Sequence, residues 1–225
     1  MYLYETHLHT SPVSRCAVAT VRDSLLFYRS LGYDGVFITN HFLDGNINID
    51  AKEPYAEKIN FFFSDYEEGV KIGREIGLKV FPALESSYMG TDFLVYGLDK
   101  QWFSEHSEWT EMKKSKQLNY FAENGALIIQ AHPYREAAYI DHIRLFPRNV
   151  EGVEIINASC KESENQMAEI YASHYGLLRS AGSDNHHGAK TKHLAGVETE
   201  KPLESVEDFI RAIRDGSAKI FEKNL

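Results

Sequence analysis

Cysteine is scarce in this 225-residue chain: Cys16 and Cys160 are the only two. They cannot build a disulfide framework, and nothing around them has zinc-finger spacing. Long apolar runs are also missing. Stretches such as "LIIQA" and "GVFIT" fall far short of the roughly 20 residues a membrane span needs. Positive charge is in deficit, with 24 Lys and Arg against 33 Asp and Glu, for a formal net charge of −9. That balance lacks the basic stripe of a dedicated nucleic-acid binder. The first residues, "MYLYETHLHT", have neither the basic region nor the apolar core of a signal peptide. The chain shows no GxSxG elbow, which argues against a serine hydrolase, and no GxxxxGK[ST] loop, which leaves an NTPase unsupported. Together these absences predict a reduced, soluble, cytoplasmic protein with no membrane partner.

What remains is ordinary for a globular enzyme: 43% of residues are hydrophobic and 25% charged. A chain of this length buries about 70% of its unfolded surface and needs no staples. At roughly 150 residues per domain it is one large unit or two small ones. No Pro-, Gly- or Ser-rich linker divides it, so a single domain over 1–225 is expected. Oligomeric state leaves no mark in the sequence.

Short β-rich runs alternate with helical patterns. Strands are expected at 2–8, 35–40, 79–87, 92–98, 125–131, 152–158 and 177–183, with "AGVETE" and "AKIFEK" as further candidates. Several are near-continuous apolar runs, as buried parallel strands are. Helical stretches open at Thr20 and Ser64 and close at Gly32, Gly77, Gly125, Gly176 and Gly216. This alternation predicts an α/β fold with a parallel sheet, a (β/α) barrel, with a doubly wound open sheet as the rival. The segment 42–63 fits neither pattern and is expected to be a loop over the site.

Histidine is plentiful, with ten copies. His7 and His9 end the first strand, and residues i and i+2 share one face. His41 follows the second strand, Glu85 lies late in the third, and His132 follows "GALIIQA". Asp184 and His186 follow "LLRSAGS" and repeat the i, i+2 spacing. In a parallel barrel these strand ends converge on one face. Imidazole nitrogens and carboxylate oxygens suit zinc, iron or manganese, and a carboxylate such as Glu85 can bridge two ions. Bound cations also make burial of so many polar groups tolerable. His106, His142 and His174 fall in helical or connecting segments and read as surface residues, while His187 and His193 lie in a loop that can reach substrate or simply be exposed.

The motifs "HLHT", "ITNH", "ALES", "AHPYR" and "GSDNH" resemble, in order and spacing, those of the PHP (polymerase and histidinol phosphatase) superfamily over residues 5–197. The resemblance implies a distorted (β/α)7 TIM-like barrel that hydrolyses phosphoesters with two or three divalent metal ions (Zn, Fe or Mn). Carried over by position, it implies that His7, His9, Glu85 and Asp184 hold one metal, Glu85 and His132 a second, and His41 and His186 a third. Cys16 stands nearest to one further family ligand, where it would bind as a thiolate. Asp92, in "DFLVYG", replaces the histidine usual at another. The second motif usually reads "TDH"; here Asn40 stands in it and cannot act as an anion or general base.

The expected reaction is hydrolysis of a small phosphomonoester. Two cations about 3.5–4 Å apart hold a hydroxide of pKa about 7 that attacks phosphorus in line. Arg135 is the candidate phosphate clamp, since a guanidinium grips phosphate oxygens in bidentate fashion; Arg15, Lys190 and Lys192 are weaker candidates. His9 or His186 is the candidate leaving-group acid. Residues 42–63 and 99–110 are expected to set specificity, with Phe61, Phe62 and Phe63 as a hydrophobic docking face. Competing readings are a nucleotide or nucleic-acid-end phosphodiesterase, disfavoured for long polymers by the acidic balance, and a non-catalytic metal-binding regulatory module. A metal-dependent amidohydrolase on a related barrel would usually need a strand-end lysine that is not evident here.

Overall fold

The computed structural model describes residues 1–225. Its strands are β1 (Tyr2–Leu8), β2 (Gly35–Ile38), β3 (Lys79–Tyr88), β4 (Thr91–Tyr96), β5 (Leu127–Ala131), β6 (Gly152–Asn157), β7 (Leu178–Gly182), β8 (His193–Thr199) and β9 (Lys219–Asn224). The helices are α1 (Val21–Ser30), α2 (Tyr55–Ile76), α3 (Lys100–Glu105), α4 (Lys114–Glu123), α5 (Glu162–Tyr175) and α6 (Val206–Arg214). Thr20 caps α1 by accepting the Asp23 amide, and Gly77 and Gly176 close α2 and α5.

The sheet order is β7-β6-β5-β4-β3-β2-β1-β8-β9. Strands β1 to β7 wrap into a distorted, nearly closed (β/α)7 barrel. The seam lies between β7 and β1, where the Thr6 hydroxyl donates to the Ala181 carbonyl and Leu8 bridges to Asn185.

The sheet is not wholly parallel, as the alternation predicts. β4 runs antiparallel to β3 and β5, and β8 runs antiparallel to both β1 and β9. The reason at β4 is local. Met89 and Gly90 both have positive φ (51° and 80°), which makes the tight turn of a hairpin, and a hairpin reverses direction. One consequence is that β4 presents its beginning, not its end, at the face where the parallel strands finish.

The expected loop at 42–63 is helical from Tyr55 onward, and α2 runs on through Ser64, whose hydroxyl donates to the Phe61 carbonyl rather than capping a helix. Its start carries no side-chain cap at Pro54. Phe62 and Phe63 are core residues rather than a docking face, packed against Phe42 and Phe103. Residues 99–110 likewise contain α3 and a 3-10 turn.

The barrel interior below the functional face is aromatic. Phe37 stacks on Phe81 at 4.8 Å and meets Tyr96 at 5.4 Å and Phe209 at 4.5 Å between ring centroids. Phe209, Ile210 and Ile213 form the apolar stripe of α6, which closes the barrel end opposite the site. No helix is long and apolar enough to cross a membrane.

Truncating the centre of this stack leaves a cavity that surrounding strands cannot collapse. Phe37→Ala is expected to destabilise the fold by about 3–5 kcal/mol, while Ile170→Ala on the exposed face of α5 changes it by about 0.5 kcal/mol or less. Urea unfolding of both variants measures the contrast.

Candidate metal centre

β1 aims its histidines through a bulge. The pairing of β1 with β2 shifts register between Glu5 and Leu8, so Tyr4 and then His7 and His9 all face the barrel interior. A bulge of this kind re-aims side chains beside a site. Glu5 fastens the irregularity from the other face, accepting the amides of His7 (2.8 Å) and Ser183 (3.0 Å).

Glu85, buried late in β3, is the hub. Its Oε1 lies 3.2 Å from both His7 Nε2 and His132 Nε2, and its Oε2 lies 3.3 Å from His9 Nε2 and 2.7 Å from His41 Nδ1. Asp184 approaches from the end of β7. Its Oδ1 is 3.5 Å from His7 Nε2, 3.4 Å from His9 Nε2 and 3.3 Å from His186 Nδ1. Asp92, at the start of the reversed strand β4, places Oδ2 3.9 Å from His132 Nε2. Three trios have ligand atoms within 4.8 Å of one another: His7, Glu85 and His132; His7, His9 and Asp184; His9, His41 and His186. Cys16 stands beside the last, where His186 and His41 lower its thiol pKa. All nine residues singled out as ligands in the sequence therefore gather at one face.

The donor set fits divalent cations. Glu85 Oε2 and His41 Nδ1 are buried and make no hydrogen bond, although unpaired buried polar atoms are costly. The backbone is also constrained where ligand-type residues sit: His132 and Asp184 adopt positive φ (26° and 51°), a region that non-glycine residues rarely occupy and at a cost of about 1–3 kcal/mol each. Electrostatics point the same way. Burial opposes charge on Glu85, but His41, His7 and His9 outweigh it and hold its carboxyl well below the usual range. Burial likewise opposes charge on His7, and Glu154, Asp184 and Glu85 outweigh it, raising its pKa well above the ordinary value. Protons on such imidazoles are what a cation displaces on binding.

A second layer sets the tautomers, and sequence reasoning missed it. Glu154, fully buried on β6, accepts from His7 Nδ1 at 2.9 Å and from the His132 amide at 3.1 Å. That leaves His7 Nε2 facing the cluster with its lone pair, the usual carboxylate–histidine support of a ligand. An acid inside the apolar run "GVEII" was the available signal. Gly182 on the neighbouring strand makes room: a Cβ there would fall 2.4 Å from His7 Cβ and 2.7 Å from Glu154 Oε1. Ser14 does for His9 what Glu154 does for His7, at 3.0 Å from its Nδ1, and it also accepts the His41 amide at 3.0 Å.

Asn40 has a structural task that the missing aspartate could not perform. Its Oδ1 accepts from Ser14 (2.9 Å) and from the Thr10 amide (2.7 Å), and its Nδ2 donates to Asp65 at 3.0 Å. Asp65 is a buried carboxylate; a second carboxylate at position 40 would repel it. The anion of this corner stands on α2 instead of after β2.

Arg135 reaches Asp184 through Nη2, which also donates to Ser159 (3.0 Å) and Asn157 (3.2 Å). His186 is the more accessible of the two acid candidates, at 19% side-chain exposure against none for His9, whose pKa is lowered by burial and by His186 and His41. Arg15, Lys190 and Lys192 are exposed and make no ion pair with the cluster. His193 is held away from it, between the Ala158 carbonyl (3.0 Å) and Glu222 (2.6 Å).

Comparison with known proteins bears on this arrangement. Residues 162–218, from α5 through α6, match the family model PHP_C, described as PHP-associated. No curated protein matches the sequence. Among solved structures, the fold is similar to a two-domain protein from Bacteroides vulgatus containing a predicted PHP-like metal-dependent phosphoesterase (TM-score 0.69, 13% identity, covering 98% of this chain and 64% of that one). This chain thus spans less than two thirds of that protein's length. A protein from Bifidobacterium adolescentis assigned as a metal-dependent phosphoesterase is also similar (TM-score 0.57, 15% identity, 93% and 94% coverage). So is an amidohydrolase from Chromobacterium violaceum, solved with sulfate and no metal (TM-score 0.56, 12% identity, 97% of each chain). The solved structures share the fold, and the family match carries the name of the superfamily that the motifs resemble.

Two measurements probe the centre directly. Glu154→Gln keeps the shape but weakens the support of His7, and Gly182→Ala pushes into both side chains; each is expected to reduce zinc or manganese affinity about 10–100-fold, read by metal titration. The two cysteines separate by pH. Burial raises the Cys16 thiol, but hydrogen bonds from His186 and His41 outweigh it and bring its pKa down to about 6, whereas burial pushes Cys160 up to about 12. Below its pKa a thiol is protonated and unreactive, so iodoacetamide labelling of the metal-free protein should switch on at Cys16 as pH rises through about 6 and spare Cys160.

Proposed function

We propose that the chain is a metal-dependent phosphoesterase that hydrolyses a small phosphomonoester, with two or three divalent ions (Zn, Fe or Mn) held in a multinuclear site. His7, His9, Glu85, His132 and Asp184 would hold the inner ions, with Asp92 beside His132. His9, His41 and His186, with the Cys16 thiolate, would hold the outer one. The observation that carries this reading is the buried Glu85 carboxylate, ringed by four imidazoles. Bound there, divalent ions supply Lewis acidity to phosphate oxygens and lower the pKa of a water.

The chain's own residues would do the rest. Arg135 lies beside Asp184, where its guanidinium would donate to non-bridging phosphate oxygens and fix the orientation of the phosphoryl group. Glu154 and Ser14 keep Nδ1 of His7 and His9 protonated, so neither imidazole swings away. His186, at the open side of the cluster, is the residue best placed to pass a proton to a departing alkoxide. The net charge of −9 disfavours a long nucleic-acid substrate and favours a small phosphorylated one.

Purified protein assayed with p-nitrophenyl phosphate and a panel of phosphomonoesters should turn over at least one, and stop on chelation and recover with added metal. His132→Ala is expected to lose more than about 100-fold in kcat/KM. Turnover that survives chelation, or metal bound with no turnover on any ester, overturns the proposal; the latter result would instead identify a metal-binding regulatory module.

A further inference from the structure

A cavity of about 810 Å³ lies beside the metal centre, and no step of the hydrolysis uses it. The two share a wall. A Cβ placed on Gly45 would sit 2.8 Å from Ser87 Oγ, which lines the cavity, and 3.5 Å from His41 Nδ1, which belongs to the cluster. Ser87 also pairs across the hairpin with Asp92. Gly45 and Ser87 thus stand between the cluster and the cavity, and a molecule whose phosphate sits at the ions would reach the cavity across them.

The lining is cationic in a chain that is strongly acidic overall. Lys58, Lys113 and Lys114 face it against a single carboxylate, Asp44. Lys114 is the built part. It is buried, with 6% side-chain exposure, and its Nζ donates to Asp44 at 2.7 Å and to Ser86 at 2.8 Å. An ammonium has three N–H donors, so one remains for a ligand. Asp44 in turn accepts the Ser87 amide at 3.0 Å, which locks the lysine's partner to the wall beside His41. Asp44 compensates the buried Lys114, which leaves Lys58 and Lys113 as the uncompensated positive charge of the lining. The apolar part of the lining comes from Tyr55, Tyr88, Trp109, Met112 and Phe146, enough to hold a flat or aliphatic body between two charged ends.

We infer that this cavity is a substrate subsite for a second anionic group: the phosphomonoester carries, beyond the phosphate at the ions, a carboxylate or second phosphate that Lys58, Lys113 and Lys114 receive. The inference rests on the proposed function and narrows its substrate class from phosphomonoesters in general to those with two separated negative groups.

Binding tests it without requiring turnover. Metal-loaded protein is titrated calorimetrically with α,ω-bisphosphonates of increasing chain length and with alkyl phosphonates of matching length. At one or more lengths the bisphosphonate should bind about tenfold tighter or more, as expected for an added charge-assisted contact. In Lys113→Glu, an exposed position whose substitution spares the core, and in Lys58→Glu, that ratio should fall several-fold towards one. ω-Carboxyalkyl phosphonates run in parallel distinguish a carboxylate from a phosphate at the subsite. Equal affinity for both series at every length in the wild type, or a ratio that survives both lysine substitutions, overturns the inference. Discrimination in an enzyme that hydrolyses no phosphoester upholds the subsite while removing the reaction proposed above.

Discussion

The Glu85 carboxylate organises this molecule. Its two oxygens meet four imidazoles from three other segments of chain, and that meeting happens out of water. Charges brought together in such a place must be compensated or titrated away. The cluster does both in part, through the raised pKa values of His7 and His41 and through Arg135 on Asp184. What it does not do is pair every atom. The surrounding fold explains how such a cluster persists: the aromatic stack and α6 secure the far end of the barrel, so the near end can carry strained backbone at His132 and Asp184 and unpaired donors without unfolding.

The ligand-type residues were legible in the sequence because strand ends announce them. "HLH" and "DNH" each pair residues two apart, and His41, Glu85 and His132 follow or end strand runs. Asp92, at the beginning of its strand, and Cys16, in the loop after β1, were legible only through the family resemblance. The supporting layer was not legible. Ser14, Asp65 and Glu154 are common residue types in unremarkable settings, and they act across loops and strands that only the folded chain brings together. The direction of β4 was missed for a different reason. Its strand pattern is the same whichever way it runs, and the deciding feature was the backbone of Met89 and Gly90. α2 was read short because its first turn lacks a capping side chain, while the aromatic run inside it mimicked a surface patch.

Asn40 shows how a departure from a motif changes meaning in three dimensions. Taken alone, the amide in place of an acid suggests a weakened site. In the folded chain it separates Asp65 from a would-be like charge and holds Ser14 against His9. The corner still holds one carboxylate, that of Asp65. The motif is thus better described by the chemistry of the corner, one carboxylate and its donors, than by the residue at one position.

The bulge in β1 carries a further consequence. It sets the phase of everything downstream in that strand: one residue in excess is what turns both imidazoles inward after Tyr4. Strict alternation after Tyr4 would carry Thr6 and Leu8 inward and send the two rings toward α1, on the side of Glu5. The presentation of both imidazoles therefore depends on an irregularity of the backbone as much as on the identity of the residues.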